Sequence, residues 1–179
     1  GAGQFGEVSL RVEPRERWNF LDRDVLGWHC AAMDRKQLLL SIQEMRRIFE
    51  PGAAALAAER RTEAQVARIA AALEGMGAAR NAEEMVAPDV EFHLALLEAA
   101  NNELLIPFGI IIEQALRQMF DYTSRHNPRP LGVIPLHAAV FEAVRKQRPD
   151  AARKAVVTLL RDTDNVITAV VPARRPRAP

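Results

Sequence analysis

With one cysteine, Cys30, in 179 residues, the chain can form no internal disulfide, and a reducing cytoplasm is the expected compartment. Aromatic residues amount to 6% and runs of valine, isoleucine and threonine are scarce, so little favours strands. No apolar run approaches the length of a bilayer span, and the N-terminus lacks the basic-then-apolar pattern of a signal peptide. A formal net charge of +1 gives no global electrostatic case for binding nucleic acid. Glycine-rich phosphate loops, a nucleophile elbow and a cysteine pair are all missing, which leaves a serine or cysteine triad without support.

What is present is alanine, leucine, glutamate and arginine, with 49% hydrophobic and 26% charged residues, a composition expected of one all-α domain with a sizeable core. Residues 1–17 read as a linker or edge segment with a short alternation at Val8, Leu10 and Val12. Trp18, Leu21, Val25 and Trp28 are spaced as in a connector helix over 18–33 that docks two indoles. A long helix over 35–61 follows, its apolar stripe running from Leu38 to Ala57, with Gln43, Glu44, Arg46, Arg47 and Glu50 at the other positions and Pro51 tolerated as a kink. Thr62 opens a third helix. Asn81 begins a turn or short helix before a helix over 88–100 that starts at Pro88. Asn102 is placed to cap an almost wholly apolar helix over 103–122, a loop spans 123–130, and two more helices cover 133–146 and the stretch capped by Asp150. Residues 34–170 form the main body, and 171–179 read as a disordered tail.

The helix over 88–100 carries the candidate chemistry. Asp89 and His93 stand four residues apart, hence on one face, one turn from each other. That face continues through Leu96, Leu97 and Ala100, so a carboxylate and an imidazole sit on an inward stripe where neither belongs without a partner. His137, on the apolar side of its own helix, is the natural third member. Asp, His and His suit a divalent ion such as zinc, nickel, iron, copper or manganese, with coordination positions left for water or a small anion. The alternative is that each is a satisfied polar residue in a helical core. Arg46 is the next candidate, a planar bidentate cation for a carboxylate ligand, against the alternative of a surface ion pair with Glu50 or Glu44.

Arg46, Glu50, the run Ala57-Ala58-Glu59-Arg60, then Asp89-Val90-Glu91-Phe92-His93 with Asn102, His137-Ala138-Ala139-Val140-Phe141-Glu142-Ala143-Val144 and Asp150-Ala151-Ala152 together resemble the FCD effector-binding domain. That domain is the C-terminal half of GntR-type transcription regulators of the FadR branch. The resemblance covers about 34–165, and the segment 17–26 resembles the connector of a sugar-acid-responsive subgroup. It implies an antiparallel bundle of six to seven helices that forms a homodimer and senses a small organic acid, a sugar acid before other carboxylates. It further implies a divalent metal, zinc before nickel, manganese or iron, held by Asp89, His93 and His137, with Arg46 facing the acid's carboxylate. The family's usual fourth ligand, a histidine on the last helix, aligns with Leu159. DNA would be bound only through a winged helix-turn-helix head, for which residues 1–17 are too short. The resemblance thus implies the sensing and dimerising part of a cytoplasmic, non-enzymatic, metabolite-responsive regulator. Two rivals remain: a metal-dependent hydrolase or isomerase, and a purely structural dimerisation bundle.

Overall fold

A computed structural model describes Pro14 and residues 17–123 and 130–170 of the chain. The strand-like stretch at Val8 to Val12, the tail, and most of the loop expected over 123–130 lie outside the described residues. The described residues form seven α-helices: α1 (Arg23–Ala32), α2 (Arg35–Arg60), α3 (Glu63–Ala78), α4 (Ala82–Ala99), α5 (Phe108–Thr123), α6 (Ile134–Arg145) and α7 (Pro149–Val170). The all-α expectation holds. No strand occurs among the described residues.

Side-chain caps start four of these helices, each supplying an oxygen to backbone N–H groups that have no intrahelical partner. Asp22 accepts from Asp24 and Val25, Asp34 from Gln37 and Asn81 from Glu84. Thr62 and Gln65 form a reciprocal capping box at the head of α3.

Four helix starts differ from the sequence reading. The connector helix begins at Arg23 rather than Trp18, because the Asp22 cap outweighs the apolar spacing upstream. Trp18 is half-buried beside Phe20 and His29, whereas Trp28 is 71% exposed, so only one indole docks. Helix α4 starts six residues before Pro88, which therefore lies inside it; the Asn81 cap and the acidic pair Glu83 and Glu84 in the first turn set the true start. Asn102 caps only a turn, accepting from Leu104, and α5 waits until after Pro107. Leu104 is consequently 81% exposed rather than buried. Asp150 lies in the first turn of α7 rather than at its cap.

The packing places α4 at the centre. It contacts α2, α3 and α5, while α7 lies along α2 and α6. One face of α4 supplies Phe92, Ala95, Leu96 and Ala99 to a cluster completed by α2, α3, α6 and α7. Val90 and Leu97 join a second cluster with residues of α1, α2 and α5 and with Ile167 of α7. Helices α3 and α4 approach closely where Gly75 meets Pro88: a Cβ at Gly75 would stand 3.1 Å from the Pro88 Cβ. Within this apolar body the buried polar and charged side chains among the described residues are Gln43, Arg46, Glu50, Asp89, His93 and His137.

Candidate metal centre

Those six residues form one connected cluster. Asp89 and His93 come from successive turns of α4, His137 from the first turns of α6, and Gln43, Arg46 and Glu50 from one face of α2. The structure therefore brings together all four residues singled out from the sequence.

The histidines are oriented alike. His137 Nδ1 lies 2.9 Å from the Val133 carbonyl oxygen, one turn back. A carbonyl only accepts, so Nδ1 carries a proton, and Nε2 turns inward, where it donates to Asp89 when protonated and offers a lone pair to a metal when not. His93 Nδ1 lies 3.0 Å from Glu50 Oε2; the approach is too bent for a formed hydrogen bond, yet the carboxylate favours the proton on that nitrogen. His93 Nε2 then also faces inward. The two Nε2 atoms are 3.4 Å apart, Asp89 Oδ1 is 2.9 Å from His137 Nε2, and Asp89 Oδ2 is 3.9 Å from His93 Nε2. Phe92 stands edge-on to both rings.

Two inward imidazole nitrogens and a carboxylate at these distances need positive charge among them, from an imidazole proton beside Asp89, from the Arg46 guanidinium or from a metal ion. A divalent ion fits. Donors about 2.05 Å from one ion are separated by ~2.9 Å at a right angle and ~3.3 Å at the tetrahedral angle. One oxygen and two nitrogens, all within 4.8 Å of one another and all buried, make a three-residue set with room in the coordination shell. The outward Nδ1 contacts are the kind of outer support that orients ligating imidazoles. Leu159, at the position where the family resemblance implies a fourth ligand, is buried in the apolar cluster with Phe92.

Arg46 lies on the rim. Its Nε donates to Glu50 Oε1 at 2.6 Å and its Nη2 lies 3.3 Å from His93 Nε2. The ion pair with Glu50 exists, but it is buried, with both side chains under 5% exposed, so it is not the surface pair weighed from spacing. Glu44 is exposed and takes no part. Burial pushes the Glu50 carboxyl up, yet Arg46 and His93 outweigh it and hold the group well below the usual carboxylate range. Burial likewise opposes ionisation of Asp89, and His137, with His93 and Arg46 behind it, keeps that carboxyl lowered. The centre is thus built around two anions that stay charged in an apolar setting.

Sequence reasoning placed Gln43, Arg46 and Glu50 off the apolar stripe of α2, gave Gln43 no role and considered Glu50 only as a surface ion-pair partner of Arg46. The available signal was their spacing. Residues 39, 43, 46, 50, 53 and 57 advance by threes and fours, so polar side chains occupy the middle of an otherwise apolar inward face. Glu91, the carboxylate nearest in sequence to the pair, faces outward to Arg68 at 2.6 Å and is no general base for the centre.

The model of the FCD domain matches residues 41–162. The chain is 34% identical over 151 residues to the galactonate operon transcriptional repressor of Escherichia coli K12, covering 83% of this chain and 66% of that protein. It is 49% identical over 147 residues to the HTH-type transcriptional regulator LutR of Bacillus subtilis 168, covering 78% and 66%. Its fold is similar to that of Streptococcus agalactiae GntR, with a TM-score of 0.63 at 24% identity over 82% of this chain and 65% of the other. The chain therefore spans 66% of the length of each of these two named curated relatives.

Proposed function

The chain belongs to the FCD domain family, found in GntR-family transcription regulators, and from this and the polar centre we propose that it senses a small organic acid through a metal held by Asp89, His93 and His137. The observation that carries the reading is the pair of inward Nε2 atoms 3.4 Å apart beside a buried carboxylate. The ion would act as a Lewis acid for the carboxylate of the effector. Zinc is the first choice, with nickel, manganese or iron also compatible with two imidazoles and a carboxylate. Arg46, with Nη2 on the rim of the same centre, would meet the acid with a planar guanidinium.

A sugar acid is the favoured effector class, supported by the likeness to a protein whose name carries galactonate. The domain would act as a homodimer in a longer regulator, where acid binding changes how DNA-binding heads are held. Such a shift requires the acid to favour one of two dimer states. Among the described residues no helix is long and apolar enough to cross a membrane, in keeping with a regulator that meets both metabolite and DNA.

The deciding experiment is a thermal-shift screen against galactonate, other aldonates, uronates and small di- and tricarboxylates, each with and without chelator. An acid at about a hundred times its dissociation constant adds roughly 2.7 kcal/mol, a rise of about 5 to 10 °C for a domain of this size. The expected result is a shift for one acid class that disappears with chelator. No shift under any condition would leave a structural bundle, and turnover of an aldonate would leave an enzyme.

A further inference from the structure

Gln43 is 1% exposed and sits one turn before Arg46 on α2. Its carboxamide oxygen accepts from Arg46 Nη1 at 3.4 Å. Its amide nitrogen donates to Asp164 Oδ1 at 2.9 Å and lies 3.4 Å from the Leu160 carbonyl oxygen, both on α7. The partners dictate this orientation: a guanidinium only donates, and a carboxylate and a carbonyl only accept, so the reversed amide would set like against like. The second oxygen of Asp164, Oδ2, accepts from Arg47 Nη1 at 2.7 Å. That pair is partly exposed, at 46% for Arg47 and 29% for Asp164. One carboxylate on α7 thus holds two successive arginines of α2, Arg47 directly and Arg46 through Gln43.

We propose that Gln43 and Asp164 are positioning residues for Arg46, fixing its guanidinium at the edge of the histidine cluster and tying it to an ion pair at the surface of the α2–α7 contact. Glu50 engages Nε at 2.6 Å and Nη2 at 3.4 Å, and Gln43 meets Nη1, the remaining corner of the planar fork, at 3.4 Å. A buried carboxamide costs free energy unless its hydrogen-bonding groups are met, and here the groups that meet it are the arginine on one side and α7 on the other. An acid carboxylate that draws Arg46 toward itself must pull on Gln43, and through it on Asp164. The part of this concerning acid binding rests on the function proposed above; the mechanical coupling of Asp164 to Arg46 does not.

The test uses the whole chain labelled with 15N. The Nε–H of Arg46, buried and bonded to Glu50, gives a slowly exchanging signal identified by its loss in Arg46→Lys. Asp164→Ala, at a partly exposed position, is expected to displace that signal and speed its exchange about tenfold, one lost hydrogen bond's worth of restraint. Asp164→Asn keeps an acceptor oxygen and is expected to restore it. An Arg46 signal indifferent to Asp164→Ala overturns the proposal. In the second arm, galactonate affinity is measured with zinc present. Gln43→Leu and Asp164→Ala are each expected to weaken it about five- to tenfold, and to have no further effect in an Arg46→Lys background. Unchanged affinity, or full additivity with Arg46→Lys, overturns the proposal. If the parent chain binds no galactonate, the effector reading fails and the Arg46 signal alone decides the coupling.

Discussion

His93 and His137 lie 44 residues apart in the chain, and the fold sets their Nε2 atoms 3.4 Å apart. Each ring directs Nδ1 at an oxygen other than those of Asp89, Glu50 for one and the Val133 carbonyl for the other, so each turns its Nε2 toward the other ring.

Loss of either imidazole is therefore expected to abolish tight metal binding. His93→Ala should lower zinc affinity by more than the roughly 10- to 100-fold that removal of an outer partner costs, with helical content unchanged by circular dichroism. Equilibrium dialysis with metal analysis checks this. Parent-like metal content in the variant would mean that the rings share protons in a polar core.

Arg46→Lys keeps the charge but loses the planar fork. Acid affinity is expected to fall about tenfold or more while zinc content stays at the parent level, since Arg46 is on the rim and supplies no ligand. Calorimetric titration with galactonate in the presence of zinc gives the answer; unchanged acid affinity would remove Arg46 from the site.

The centre also sets an acid limit. Both Glu50 and Asp89 are held below the ordinary carboxyl range despite burial. A carboxyl depressed in the fold contributes stability that is fully present above its unfolded pKa of about 4 and is lost as pH falls toward the folded value. Urea unfolding of the metal-free chain is expected to show stability dropping below about pH 5, each group adding up to about 1.4 kcal/mol per pH unit. Glu50→Gln should be less stable at neutral pH by about 3–5 kcal/mol, because Arg46 is left buried without its anion, and its acid profile should be flatter. Parallel profiles for the two chains would contradict the assignment.

Two glycines give an opposed pair. Gly52 lies within α2 and an added Cβ meets nothing within 4 Å, so Gly52→Ala is expected to stabilise by about 0.5–1 kcal/mol. At Gly75 the same Cβ meets the stiff ring of Pro88 at 3.1 Å, and an overpacking cost of about 1–3 kcal/mol offsets the helix gain. Denaturant melts compare them. An equal gain at both would mean that α3 and α4 do not touch there.

Helical class, the inward pairing of Asp89 with His93, and His137 as third partner were legible because each rests on spacing along a single helix. Reading α2 by its apolar residues alone hid the inward row of Gln43, Arg46 and Glu50, since a buried charge is recognised by what faces it across the bundle. Treating Pro88 as a first-turn residue concealed the longer α4. Proline costs a helix one hydrogen bond, and here the surrounding contacts with α2, α3 and α5 make up for it. Pro107 held the opposite lesson, being the true limit of α5.

Both tryptophans of the sequence, Trp18 and Trp28, lie at the connector, and α2 to α7 contain none. Intrinsic indole fluorescence is thus a report from α1 and its approach alone, undiluted by the bundle. Trp28 supplies a hydrated, quencher-accessible emitter, and Trp18, beside Phe20 and His29, a shielded one. Their ratio under iodide quenching follows the seating of the connector optically, without any attached label, while acid or metal is added to the centre.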